Sequence, residues 1–136
     1  MAKKKSAKRK WKEKAWKVFS LYIRLKYSDD DGFVNCVTCG ANYYFRELQA
    51  GHFIAGRCNS ILFYEKGVHP QCRRCNYQEG NGPMYFIFME KTYGRDEIDY
   101  QIQLKHQTLK RSEFDYQLIH DEYQSKIDRL NKSYLL

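Results

Sequence analysis

Two Cys-x-x-Cys pairs constrain this chain more than any other feature. Cys36-Val-Thr-Cys39 and Cys72-Arg-Arg-Cys75 stand 32 residues apart. Each pair lets two thiolates reach one ion from a tight turn, and two pairs complete the four-thiolate tetrahedron that structural zinc prefers. A redox Cys-x-x-Cys leaves the second pair unexplained. A disulfide framework belongs with export, and the polar start Met-Ala-Lys-Lys-Lys-Ser does not lead into a secretory signal. The stretch between the pairs has few aliphatic residues, so a metal staple has a stabilising task there. Cys58, the fifth cysteine, reads as a small buried residue.

The remaining elements follow from periodicity. At 136 residues the chain suits one domain of residues 11–136 behind a short tail. Trp11, Ala15, Val18, Phe19, Tyr22 and Ile23 recur at three-to-four spacing, which predicts an N-terminal helix over 11–28. Asp29-Asp30-Asp31-Gly32 breaks it in a solvated turn. Residues 33–82 form the cysteine-bearing core, with short strands predicted at Phe33–Asn35, Tyr43–Phe45, Leu48–Phe53 and Leu62–Tyr64. Residues 83–136 read as a helical arm: Met84–Tyr93, Asp96–His106 and Ser112–Tyr134. Gly94 suits a C-cap, and Ser112 with Asp115 resembles a capping box. Phe114, Leu118, Tyr123, Ile127, Leu130 and Tyr134 form one stripe on the last helix, facing a core or a partner.

Charge is distributed unevenly. The formal net charge is +8. Residues 1–17 carry nine Lys/Arg against the single acid Glu13, which accounts for all of it. Residues 1–10 lack apolar periodicity and are expected to be disordered when free, with Lys3, Lys4, Lys5, Lys8, Arg9 and Lys10 giving nonspecific attraction to nucleic-acid phosphates. Lys12, Lys14 and Lys17 extend that charge along the helix. Arg73 and Arg74, inside the second knuckle and pointing away from its metal, are phosphate candidates, followed by Arg46, Arg57 and Lys66. No run of about 18 apolar residues is present, so no membrane-spanning helix is expected.

The insert between the knuckles carries the chemistry. Gln49-Ala50-Gly51-His52-Phe53 puts a histidine in a short strand, and Gly67-Val68-His69-Pro70-Gln71 runs into the second knuckle, followed at once by Asn76. A histidine on a hairpin strand with a polar ligand on the next helix is the layout of a ββα-metal nuclease site. There a neutral imidazole takes a proton from water while a divalent ion stabilises phosphoryl charge. The fold expected is therefore α+β, a zinc-stapled ββα-metal (HNH-like) core flanked by an N-terminal helix and a helical C-terminal arm.

The run AGHFIAGRCNSILFYEKGVHPQCRRCNYQEGN at 50–81, with CVTCG at 36–40 before it, resembles the NinG (Rap) family of phage recombination proteins. The likeness extends over about residues 11–130. That family is similar to HNH/His-Me finger nucleases and is associated with cutting branched DNA such as Holliday junctions and D-loops. The resemblance implies His52 as general base, Cys36, Cys39, Cys72 and Cys75 as structural zinc ligands, and Asn76 as ligand to a catalytic Mg²⁺ or Mn²⁺. His69 would assist at phosphate or metal, or make a structural hydrogen bond. Two positions depart: the acid that often precedes the base in HNH nucleases is here Gly51, and the Asn that the family tends to carry before the hydrophobic-His pair is here Gly67. Glu79, three residues beyond Asn76, would supply the missing oxygen. The resemblance further implies branched DNA as partner, a homodimer because a junction needs two cuts, and the cytoplasm of a bacterial host. The competing expectation is a zinc-containing DNA-binding protein of the same fold without catalysis.

Overall fold

The computed structural model describes residues 4–78 and 81–135. Lys3 and Glu79 lie outside the described residues.

The first helix starts earlier than its apolar stripe suggests. Helix α1 spans Ala7–Leu25, and the Ser6 side chain caps it by accepting from Arg9 N at 3.2 Å. Residues 7–10, expected in a disordered tail, are therefore its first turn. A serine N-cap satisfies an amide that the helix itself leaves without a partner, and that local bond decides the start. Lys4, Lys5, Lys8, Arg9 and Lys10 are exposed.

Two short antiparallel sheets follow. Strands β1 (Phe33–Asn35) and β2 (Asn42–Tyr44) form a hairpin around the first knuckle, with Val34 paired to Tyr43. Strand β3 (Leu48–His52) pairs with β4 (Val68–Cys72), placing His52 opposite Val68 and Gly51 opposite His69. The predicted strand at Leu62–Tyr64 is instead the end of a short helix, α2 (Asn59–Leu62), and the turn after it. Strand β4 needs an extended backbone through Val68-His69-Pro70, which proline imposes on the residue before it. Pro70 O also accepts from Val37 N at 2.8 Å, tying the first knuckle to β4. Helix α3 (Arg73–Tyr77) begins directly after β4, completing a β-β-α succession.

The arm contains three helices. Helix α4 (Gly82–Tyr93) carries Pro83 in its first turn, where a missing N–H is harmless. Gly94, at φ 88°, ends α4 and starts α5 (Arg95–Lys105). Helix α6 (Glu113–Leu130) opens with the Ser112/Asp115 capping box, both bonds formed.

Helix α1 lies between α6 and the β3–β4 hairpin. Its buried Ala15, Phe19 and Ile23 meet Ala50, Leu62, Phe63, Val68, Tyr116 and Tyr123. Phe19 contacts Tyr123 edge-to-face at 4.8 Å and 89°, so its truncation to alanine should cost roughly 3–5 kcal/mol. A second cluster, including Leu25, Val34, Phe45, Leu48 and Ile127, surrounds the cysteines. A third, Tyr85, Met89 and Ile98, joins α4 to α5.

The stripe predicted on α6 holds only in its C-terminal half. Phe114 and Leu118 are exposed, while Tyr116, Tyr123 and Ile127 are buried. The buried face is rotated because α6 must meet α1 and the cysteine cluster at once. The helix also stops at Asn131, in left-handed geometry, so Tyr134 follows in a short 3-10 turn that packs on Phe45. Cys58 is half-buried rather than core, its thiol 3.7 Å from Lys105 O.

Candidate metal centre and catalytic cleft

The hairpin β1–β2 and the β4–α3 junction bring the two knuckles together. Ligand atoms of Cys36, Cys39, Cys72 and Cys75 all lie within 4.8 Å of one another. The Cys39–Cys72 Sγ separation is 3.9 Å, near the edge of about 3.8 Å that a tetrahedron with 2.3 Å zinc–sulfur bonds has. These thiols could hold a zinc ion, and hydrogen-bond donors reach two of the sulfurs. Cys72 N donates to Cys36 Sγ at 3.3 Å, the Thr38 hydroxyl lies 3.4 Å from it, and Asn81 Nδ2 donates to Cys75 Sγ at 3.6 Å. Burial opposes ionisation of Cys36, but donors from Cys39, Thr38 and Cys72 outweigh it and bring its thiol down to about 6. The Ala41 amide favours the Cys39 thiolate, yet desolvation and the neighbouring Cys36 push it up to about 11. Four such thiols ionise together only around a cation.

His52 ends β3. Its Nε2 lies 3.1 Å from the backbone oxygen of Leu62. A carbonyl only accepts, so Nε2 carries the hydrogen and Nδ1 keeps the lone pair. Trp16 stacks on the ring at 5.3 Å and 13°. Burial lowers the His52 pKa most, the Leu62 carbonyl opposes it, and the Arg57 charge adds a smaller downward push. The imidazole is thus held neutral near pH 7.

A polar cleft of about 410 Å³ is lined by Trp16, Ser20, Arg24, Gln49, Arg57 and Asn76 among others; His52 is not in its lining and reaches it only through the stacked ring of Trp16. Asn76 sits on α3, and its Nδ2 donates to Gln49 Oε1 at 2.7 Å, leaving Oδ1 as the accepting side of the amide. Among the described residues, the four cysteines are the only group of three or more His, Cys, Asp or Glu placed to hold a metal.

His69 stands elsewhere. Cross-strand partners share a face and successive residues alternate, so His52 with Val68 and His69 with Gly51 face opposite ways. His69 is buried, bonded to the Tyr85 hydroxyl at 3.0 Å through Nδ1 and to the Tyr93 hydroxyl at 2.8 Å through Nε2. Because the Tyr85 hydroxyl donates to Gly51 O at 2.7 Å, His69 Nδ1 is the donor toward it. Burial brings the His69 pKa down to about 3, with a minor push from the Lys26 charge. His69, expected either to assist at phosphate or metal or to make a structural hydrogen bond, has both ring nitrogens engaged by tyrosine hydroxyls.

The two glycine departures also have structural reasons. A Cβ at Gly51 would meet Gln71 Oε1 at 1.8 Å, and one at Gly67 would meet Gln101 Oε1 at 2.8 Å. Arg73 and Arg74 are exposed at the start of α3. Trp16, Gln49 and Arg24 were not apparent as site residues from the sequence. Only the basic side chain of Arg57 signalled its presence there.

A family model described as Bacteriophage Lambda NinG protein matches residues 1–133. The chain belongs to the NinG family. No curated protein and no solved structure gives a match. No described helix of this NinG-family chain is long and apolar enough to cross a membrane.

Proposed function

We propose that the chain is a metal-dependent, HNH-type endonuclease that hydrolyses phosphodiester bonds in branched DNA, with His52 as general base. The observation that carries this reading is the 3.1 Å contact of His52 Nε2 with Leu62 O, at the end of a hairpin strand whose partner leads straight into α3. Nδ1 is thereby the basic nitrogen and takes the proton of an attacking water. Trp16 fixes the plane of the ring, so the lone pair keeps one direction. Arg57 and Arg24 in the cleft supply positive charge to a phosphodiester.

The donors available to a catalytic Mg²⁺ or Mn²⁺ are few. Asn76 Oδ1 is the acceptor that fits among the described residues, and magnesium commonly completes its shell with water and substrate phosphate oxygens. Bound there, the ion would neutralise charge on the phosphate. Junction resolution requires two cuts, so the active species on such a substrate is a homodimer. The site of action is the cytoplasm of a bacterial host.

A second reading has its own support. The cleft has no carboxylate among its lining residues, which suits a zinc-stapled DNA-binding protein without catalysis. Incubation of supercoiled plasmid and a four-way junction with Mg²⁺ or Mn²⁺ separates the two. The nuclease reading expects cleavage by the native chain and none by His52→Ala. Tight binding without cutting by the native chain leaves only the second reading.

A further inference from the structure

On helix α1, positions 9, 13, 16, 20 and 24 fall on one stripe at three-to-four spacing. A cleft of about 830 Å³ follows its first half, past Arg9, Glu13 and Trp16, and the smaller polar cleft follows its second half, past Trp16, Ser20 and Arg24. Trp16 and Arg57 line both clefts. The two are thus consecutive stretches of one surface, meeting beside His52. From Arg9 to Arg24 the stripe runs about 22 Å at 1.5 Å per residue, about the axial length of six phosphates on one strand of duplex DNA.

Its charge is one-sided. Lys8 and Lys12 flank the stripe on one side, Lys10 and Lys17 on the other. Glu13 is the one acid in the large cleft, and it is already engaged by Lys5 at 2.9 Å and Arg9 at 3.7 Å. Among the described residues none of those four lysines, nor Arg57, meets a carboxylate within ion-pair distance. Arg57 is held in a left-handed conformation (φ 51°) directly after Gly56 (φ 110°), with its guanidinium 4.5 Å from the Trp16 ring centre.

We propose that α1 is the phosphate track of this protein: one DNA strand follows the Arg9–Trp16–Arg24 stripe, and Arg57 contacts the phosphate attacked by the water that His52 deprotonates. The track itself rests on charge and shape. The role of Arg57 deepens the nuclease reading and rests on it.

Two measurements test the two parts. Binding of duplex and four-way DNA is followed between 50 and 200 mM salt, comparing the native chain with Lys8→Gln/Lys12→Gln/Lys17→Gln and with Lys91→Gln, on α4 away from the track. The triple variant should lower the slope of log affinity against log salt by about 2 to 3, each lost phosphate contact removing nearly one unit. Lys91→Gln should leave the slope unchanged. A native slope in the triple variant overturns the track, whether or not the native chain cuts DNA. Arg57→Asn removes the charge with a residue that tolerates left-handed geometry. Its kcat at saturating DNA should fall at least tenfold, with the acid limb of the pH profile moved upward, and Arg57→Lys should retain more activity. Unchanged kcat with weaker binding overturns the Arg57 assignment and leaves the track standing. A native chain that binds with the expected slope but never cuts overturns the nuclease reading and the Arg57 role together, and supports the track. Circular dichroism and zinc content establish that each variant is folded.

Discussion

Gly51 and His69 are cross-strand partners in the β3–β4 hairpin, so a side chain at 51 would project onto the face opposite His52. It would also strike Gln71 Oε1, 1.8 Å from an ideal Cβ. Gly51→Asp, which supplies the acid that often precedes the base in HNH nucleases, should therefore add no metal ligand. It should lower stability by about 1–3 kcal/mol through overpacking. Thermal melting and Mn²⁺-dependent cleavage would check this. An aspartate variant as stable as the native chain and more active would refute the placement.

With His52 as the proposed general base, the nuclease reading fixes a pH profile. Because burial and Arg57 lower its pKa beneath the ordinary 6.5, the neutral base is already dominant at pH 7. Cleavage at saturating DNA should rise with pH on the acid side, with a midpoint below 6.5, and should be level through neutrality. His52→Ala should lose about 10²- to 10⁴-fold in rate with DNA affinity and zinc content unchanged.

The cysteines predict a stoichiometry. Metal analysis should find one tightly held zinc per chain. Cys72→Ser or Cys75→Ser should reduce it and destabilise the protein, while Cys58→Ser should not. Stripping the ion with a chelator should loosen the second core cluster, where Cys36, Cys72 and Cys75 pack with Leu48 and Ile127.

His69 contributes to stability in the opposite pH direction from a salt-bridged base. Its folded pKa, about 3, lies below its ordinary value of 6.5, so the unfolded chain takes up a proton that the folded chain refuses. The contribution is complete above about pH 6.5 and is lost as pH falls toward 3. His69→Phe should cost about 1–3 kcal/mol at pH 7 by depriving the Tyr93 hydroxyl of its partner, and the gap to the native chain should narrow at pH 5. Urea titrations of both proteins at the two pH values, with zinc present, would reveal it. A constant gap would remove the assignment.

The N-terminus should respond in two stages to truncation. Deleting residues 1–5 should weaken DNA binding and leave the melting temperature nearly unchanged, since the Lys5–Glu13 pair is exposed. Deleting residues 1–10 removes the Ser6 cap and the first turn of α1, and should lower stability by about 1 kcal/mol or more. Equal melting temperatures for the two truncations would contradict the helix start at Ala7.

The sequence by itself determined the features that depend on local spacing. Two Cys-x-x-Cys pairs implied one four-thiolate cluster, the 3.6-residue period located α1, and Ser112 with Asp115 marked the start of α6. Each is a relation between neighbours along the chain. Only the tertiary structure decided the rest. That β4 pairs with β3 settled how the two histidines are placed, because strand alternation turns His52 and His69 to opposite faces once the register is fixed. The docking of α6 on α1 left Phe114 and Leu118 in solvent, although they share a helical period with Tyr123 and Ile127. Trp16 entered the site for the same reason. Its place in a helical stripe is visible in the sequence, but its position over His52, with Arg57 beside it, arises from contacts between residues about 40 positions apart, and spacing along the chain carries no record of those.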